Sequence, residues 1–161
     1  MGDIVHAGAS DIAAVQMLWR EYWDGAGLAP EFQGFAAECG SLPGRYAPPE
    51  GRLLIALVEG QAAGTAAFRR LDARSCEAKR LYVRPEYRGL GLGRALLERL
   101  IEEARGAGYE EMCVDTLPSM ASALEMYARM GFARVEAYSA TPTPDAIFLK
   151  LSLLTPNRLG I

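Results

Sequence analysis

Seven residues constrain this chain more than any others: Arg88-Gly-Leu-Gly-Leu-Gly-Arg94. Before them a strand reads over Glu77 to Val83 and stops at Arg84-Pro85, because proline has no N–H for a ladder. After them a helix reads over Gly91 to Arg105, with Leu92, Ala95, Leu96, Leu100 and Ala104 on one side and charges opposite. Glycine permits left-handed dihedrals and removes the Cβ that would block a ligand's approach. The first-turn N–H groups of a helix lack intrahelical partners and carry partial positive charge. Arg88 and Arg94 would add full charges beside them. A junction of this kind suits a pyrophosphate.

Two better-known glycine loops do not fit the spelling. A P-loop closes on Gly-Lys-Ser/Thr, whereas Gly93-Arg94-Ala95 stands here. The dinucleotide fingerprint G-x-G-x-x-G/A fails in both registers, ending at Arg94 from Gly89 and at Leu96 from Gly91. Composition narrows the field further. Charge is nearly balanced at −3, without the basic excess of a nucleic-acid binder. No apolar run approaches the ~18 residues of a membrane span, and the N-terminus lacks a basic-then-apolar signal pattern. Three cysteines without C-x-x-C spacing and a single histidine, His6, argue against a disulfide framework or a metal site. The expectation is one cytoplasmic domain over residues 1–161, binding neither nucleic acid nor membrane.

Read from the start, Ile4 to Ala7 is a short strand and Ser10 or Asp11 caps a helix to about Asp24. Only Glu31 to Cys39 looks helical in the Gly- and Pro-rich stretch that follows. Arg52 to Val58 and Gln61 to Arg70 form a hairpin about Glu59-Gly60. After the central helix come a strand at Met112 to Asp115 and a helix from Pro118 to Met130. Strands at Phe132 to Glu136 and Ala146 to Leu151 flank a polar loop from Tyr138 to Asp145. This order predicts an α+β fold with about seven strands in one central sheet.

With these residues in view, Arg88-Gly-Leu-Gly-Leu-Gly93 resembles the R/Q-x-x-G-x-G/A motif of the GNAT superfamily of N-acetyltransferases. Val83-Arg-Pro-Glu-Tyr-Arg-Gly89 precedes it, and Ala123-Leu-Glu-Met-Tyr-Ala-Arg-Met-Gly-Phe132 is similar to the family's A-x-x-x-Y-x-x-x-G-F segment. The resemblance covers about Cys76 to Phe132. It implies a mostly antiparallel sheet flanked by about four helices, and transfer of acetyl from acetyl-CoA to a small-molecule or peptide amine in a ternary complex. A silent CoA-binding module of the same fold is the alternative. A homodimer is consistent with the family.

By position, the resemblance implies that the main chain of Leu81 and Val83 pairs with pantetheine. The N–H groups from Gly89 through Leu90, Gly91, Leu92 and Gly93 to Arg94 would hold the pyrophosphate. Where many relatives carry Asn stands Met120, so Ser119 or Ser122 would supply that contact. Glu77 matches a catalytic glutamate, and in a regular strand would share a face with Val83; Asp115 or Glu136 is a substitute base. Tyr127 matches the general-acid tyrosine. Trp19, Tyr22 and Trp23 of the first helix, with Tyr46 and Tyr138, are candidates for the acceptor's walls. Cys76 and Cys113 read as buried small hydrophobes.

Overall fold

The computed structural model describes residues 2–28, 34–138 and 145–154. Its strands are β1 (Gly2–His6), β2 (Arg52–Val58), β3 (Gln61–Arg70), β4 (Ser75–Val83), β5 (Glu111–Thr116), β6 (Ala133–Val135) and β7 (Ile147–Ser152). They form one sheet in the order β1-β2-β3-β4-β5-β7-β6. Every neighbouring pair is antiparallel except β4 and β5. Among the described residues four α-helices accompany it: α1 (Ile12–Gly25), α2 (Phe35–Gly40), α3 (Leu92–Gly106) and α4 (Ala121–Arg129). The α+β class and element order are those the sequence predicts.

Local chemistry explains most boundaries. Glu59 and Gly60 both take positive φ (51° and 78°), as a two-residue hairpin turn requires, and Val58 pairs directly with Gln61. Asp11 does not cap α1 forward; its carboxylate instead accepts the N–H of Gly8 at 2.8 Å. Pro118 lies outside α4 rather than in its first turn. Met120, bonded back to Leu117, is non-helical (ψ 58°) and delays the helix to Ala121. The expected start of α2 at Glu31 lies outside the described residues.

The sheet is covered on both faces, which is why β2 reads as an unbroken apolar run. Leu54 and Ala56 join Phe68, Ala78, Leu96, Leu100, Met112 and Val114 beneath α3 and α4. Leu53 and Ile55 point the other way, to Val15, Leu18, Trp19, Trp23 and Phe35 of α1 and α2. Each of these fully buried large side chains contributes about 1.5–3 kcal/mol.

Strand β4 is the irregular element. Thr65 faces Tyr82 and Ala67 faces Lys79, so β4 carries one residue more than β3 between these pairs. The extra residue falls at Arg80, whose φ is +59°. A bulge of this kind exchanges the faces of everything beyond it. Glu77 and Lys79 lie opposite Arg69 and Ala67, whereas Val83 lies opposite Gly64, on the other face. The expectation that Glu77 and Val83 share a face is therefore overturned.

Left-handed backbone costs a non-glycine residue about 1–3 kcal/mol. Here the Arg80 side chain offsets that cost. Its guanidinium carbon sits 4.8 Å from the Trp23 ring centroid, 5.2 Å from Phe35 and 5.4 Å from Trp19. Its Nη2 donates to Glu38 of α2 at 3.0 Å. Desolvated cation–π contacts reach about 2 kcal/mol each, enough to hold the bulge.

A second ionic knot fastens α3. Glu103 accepts from His6 of β1 and Arg52 of β2, both at 2.9 Å, and from Arg99 at 3.0 Å. Burial alone would raise its pKa, but the three donors outweigh it and bring the carboxyl down to about 2. A pKa depressed on folding adds stability above the unfolded-state value of 4.5, and that stability fades as pH falls toward 2. Glu103→Gln should therefore cost about 2 kcal/mol at neutral pH by urea denaturation. The variant should also lose less stability than wild type between about pH 5 and pH 2. Equal pH profiles would show that the knot contributes nothing.

Candidate active site

Between the end of β4, the first turn of α3, the last turn of α1 and the start of α4 lies a cleft of about 740 Å³. Leu81, Val83, Arg88, Gly89, Gly91, Leu92, Gly93 and Ser122 line it, as do Ser119, Met120 and Tyr22. The glycines act in two ways. Gly89 and Gly91 hold φ of +84° and +79°, which folds the turn. Gly93 is helical, and a Cβ there would meet only Val83 Cγ2, at 3.9 Å, so its absence leaves the cleft floor open. The first i→i−4 bond of α3 runs from Ala95 N–H to Gly91 O at 3.0 Å. The N–H groups of Leu92, Gly93 and Arg94 precede it, at the positive end of the dipole.

The side chains of Arg88 and Arg94 differ in detail from expectation. Arg88 lines the cleft, but its Nε donates to the Val83 carbonyl at 2.9 Å, so that carbonyl is already engaged. The side chains of Arg94 and Leu90 turn elsewhere: Arg94 pairs with Glu98 at 3.3 Å and Leu90 is exposed. Met120 stands where the family Asn was expected, and its sulfur accepts from Thr116 Oγ1 at 3.4 Å.

Deeper in, β4 and β5 part. They pair only at Ser75–Glu111, Cys76–Met112 and Glu77–Cys113, although both strands run on. The gap is lined by Lys79, Arg80 and Leu81 on one side and Asp115 and Thr116 on the other, with Tyr127 of α4 and Tyr22 of α1 at its ends. It shares Tyr22, Leu81, Met120 and Ala123 with the large cleft. Tyr127 is buried, and its hydroxyl has no hydrogen-bond partner among the described residues. Burial first, then Tyr22 and Asp115, push its pKa well up, so it keeps its proton at neutral pH.

The carboxylates sort by what already occupies them. Glu77 is buried; Oε1 accepts from Arg69 at 3.0 Å, Oε2 accepts from the Tyr138 hydroxyl at 3.0 Å, and Lys79 stands 3.6 Å away. It is absent from the lining of cleft and gap. Asp115 lines the gap, and its ion pair among the described residues is with Lys79, at 3.8 Å. Glu136 is exposed beyond β6.

The aromatic candidates divide likewise. Trp19 and Tyr46 are fully buried, stacked edge-on at 5.2 Å, and belong to the core around Arg80 rather than to an acceptor wall. Trp23 is buried with them but borders a small cavity with Lys79, Arg80 and Asp115. Tyr138 packs on Phe148 and bonds Glu77; the loop 139–144 lies outside the described residues. Tyr22, from the aromatic load on the first helix, lines both cleft and gap. Lys79 was missed as a site residue; the one signal for it was the adjacent charges Lys79-Arg80, which break the alternation of β4.

Cys39, Cys76 and Cys113 are free and buried, and burial pushes the Cys76 and Cys113 thiols up to about 12 and 11. They are not nucleophiles at neutral pH. Among the described residues no group of His, Cys, Asp and Glu could hold a metal, and no helix is long and apolar enough to cross a membrane.

Comparison with known proteins agrees with this geometry. Residues 13–132 match the acetyltransferase (GNAT) family. An uncharacterised N-acetyltransferase of Schizosaccharomyces pombe is 36% identical over 145 residues, 89% of each chain. A GNAT-family acetyltransferase structure from Staphylococcus aureus superposes with a TM-score of 0.82 at 19% identity, covering 95% of this chain and 99% of that one. A Salmonella typhimurium structure solved with its cofactor acetyl-CoA gives 0.76 at 23% identity, covering 95% and 94%. The chain belongs to the GNAT family of acetyltransferases.

Proposed function

We propose that this protein transfers acetyl from acetyl-CoA to a primary amine by direct attack within a ternary complex. The observation that carries the reading is the opening between β4 and β5. There the cleft and a gap holding the Asp115 carboxylate and the unpartnered Tyr127 phenol share their walls. The residues present fit the cofactor. Open space over Gly93, the leading N–H groups of α3 and the charge of Arg88 suit a diphosphate. The unpaired edge of β4 at Leu81 suits the pantetheine arm, and Ser119 and Ser122 offer hydroxyls across the cleft. When bound, acetyl-CoA supplies an acetyl group already activated as a thioester.

The chain's own residues handle the protons. An amine of pKa near ~10.4 arrives charged and must lose a proton before it attacks. Asp115 takes it, directly or through water, because it lines the gap and accepts no hydrogen bond among the described residues, whereas the oxygens of Glu77 are engaged by Arg69 and Tyr138. Glu77 thus positions Lys79 and Tyr138 rather than serving as the base. The Tyr127 hydroxyl holds a proton for the departing thiolate sulfur. Main-chain N–H groups of β4 polarise the thioester carbonyl as negative charge builds on its oxygen.

Gly93→Val tests the cradle. It should weaken acetyl-CoA binding at least about tenfold by calorimetry, some 1.4 kcal/mol, without lowering the melting temperature. Unchanged affinity would refute the assignment. Gly91→Val is a poorer test, since a φ of +79° would strain valine whatever the ligand does.

Asp115→Asn should lower kcat/KM by about 100-fold, with a smaller effect for Glu77→Gln. The reverse ranking would return the role to Glu77. Tyr127→Phe should lower kcat about tenfold or more across pH 6 to 9, since the raised pKa keeps the wild-type phenol protonated over that range. Wild-type kcat in Tyr127→Phe would remove the residue from the mechanism.

A further inference from the structure

The cations of the gap carry information about the acceptor. Lys79 is almost buried, its side chain 9% exposed, and it borders both small cavities beside Asp115. Its ammonium stands 3.6 Å from Glu77 and 3.8 Å from Asp115, too far for hydrogen bonds, and it has none among the described residues. Among the described residues the ammonium is thus held by two ion pairs alone, with no hydrogen bond to fix its three N–H donors. Arg80 borders the same cavities, and its Nε is buried with no partner. Buried donors are normally satisfied, so donors unspent on one wall point to a ligand that accepts from them.

Charge balance sharpens this. Around the gap Arg69, Lys79 and Arg80 interlock with Glu38, Glu77 and Asp115, three cations with three anions. An acceptor bearing only an ammonium would bring uncompensated positive charge beside Lys79. One bearing both an ammonium and a carboxylate adds no net charge, and matches the Lys79–Asp115 pair end for end. We propose that the acceptor is an α-amino acid or a close analogue, its carboxylate received by Lys79 and its amine by Asp115. This deepens the transferase reading and rests on it. The balance is simple: the ammonium gives one proton to Asp115, the freed amine nitrogen bonds to the acetyl carbon and the carbon–sulfur bond breaks, the departing thiolate takes a proton from Tyr127, and the second proton lost from nitrogen restores the Tyr127 hydroxyl, so that one proton is released overall.

Thiol release from acetyl-CoA distinguishes the possibilities. One pool holds the twenty protein amino acids, a second their amides; the best amino acid is then paired with its amide and its decarboxylated amine. The amino acid should exceed both partners at least about tenfold in kcat/KM, as expected when a site built for a polar group meets an analogue lacking it. Lys79→Met should raise KM for the amino acid about tenfold and bring the acid-to-amide ratio toward one. Lys79→Arg should restore the ratio, which a merely structural lysine would not govern. Calorimetric binding of acetyl-CoA to each variant confirms that the fold and cofactor cleft persist. Equal or faster turnover of amides or plain amines overturns this inference and leaves the transferase reading standing. Acetyl-CoA binding without thiol release from any pool overturns both.

Discussion

Where two neighbouring strands part, a sheet loses a ladder of hydrogen bonds, and backbone groups are left facing one another across a gap. In this protein the parting comes after Glu77 and Cys113, and the rest of the site depends on it. The strands carry Lys79, Arg80 and Leu81 along one rim and Asp115 and Thr116 along the other. α4 brings Tyr127 from one face and α1 brings Tyr22 from the other. A gap through the middle of a sheet, rather than a groove on its surface, lets groups from both layers meet.

Such an opening needs a support, because unpaired central strands would otherwise zip together. The support is the Arg80 bulge, and its cost is met outside the site. Trp19, Trp23 and Phe35 surround the guanidinium, and Glu38 closes the cage from α2. The aromatic load on the first helix thus serves the active site indirectly. Trp19 and Trp23 fix a backbone kink, while Tyr22 itself lines the gap. Glu103 plays the matching part for the cofactor side, fastening α3 to β1 and β2 so that its N-terminus stays over the end of β4.

The two halves of the site follow different physics. The proposed cofactor side is built from absence: no Cβ at Gly93, no pairing of β4 with β5 beyond Glu77, no intrahelical acceptor for the leading N–H groups. The proposed acceptor side is built from charges packed into a balanced, largely buried cluster. On this proposal the first half receives a long flexible ligand and the second selects by charge, because in a low-dielectric gap a misplaced ion is costly.

Local chemistry made the first half legible in the sequence. Alternate glycines between two arginines, a proline-ended strand and a 3.6-residue apolar period are all encoded within one stretch, so the turn, α3 and their anion affinity follow from neighbours along the chain. The element order and the hairpin at Glu59-Gly60 are local for the same reason. The bulge is not. Arg80 is no glycine, and only its distant cage makes a left-handed arginine affordable, so a regular strand was the natural expectation and Glu77 was assigned the wrong face. Which carboxylate faces the gap, which tryptophan is core and which lysine stands beside that carboxylate depend on contacts between residues as much as 61 positions apart. Tertiary packing alone decided those, because a side chain's chemistry is set by what has already claimed its hydrogen bonds.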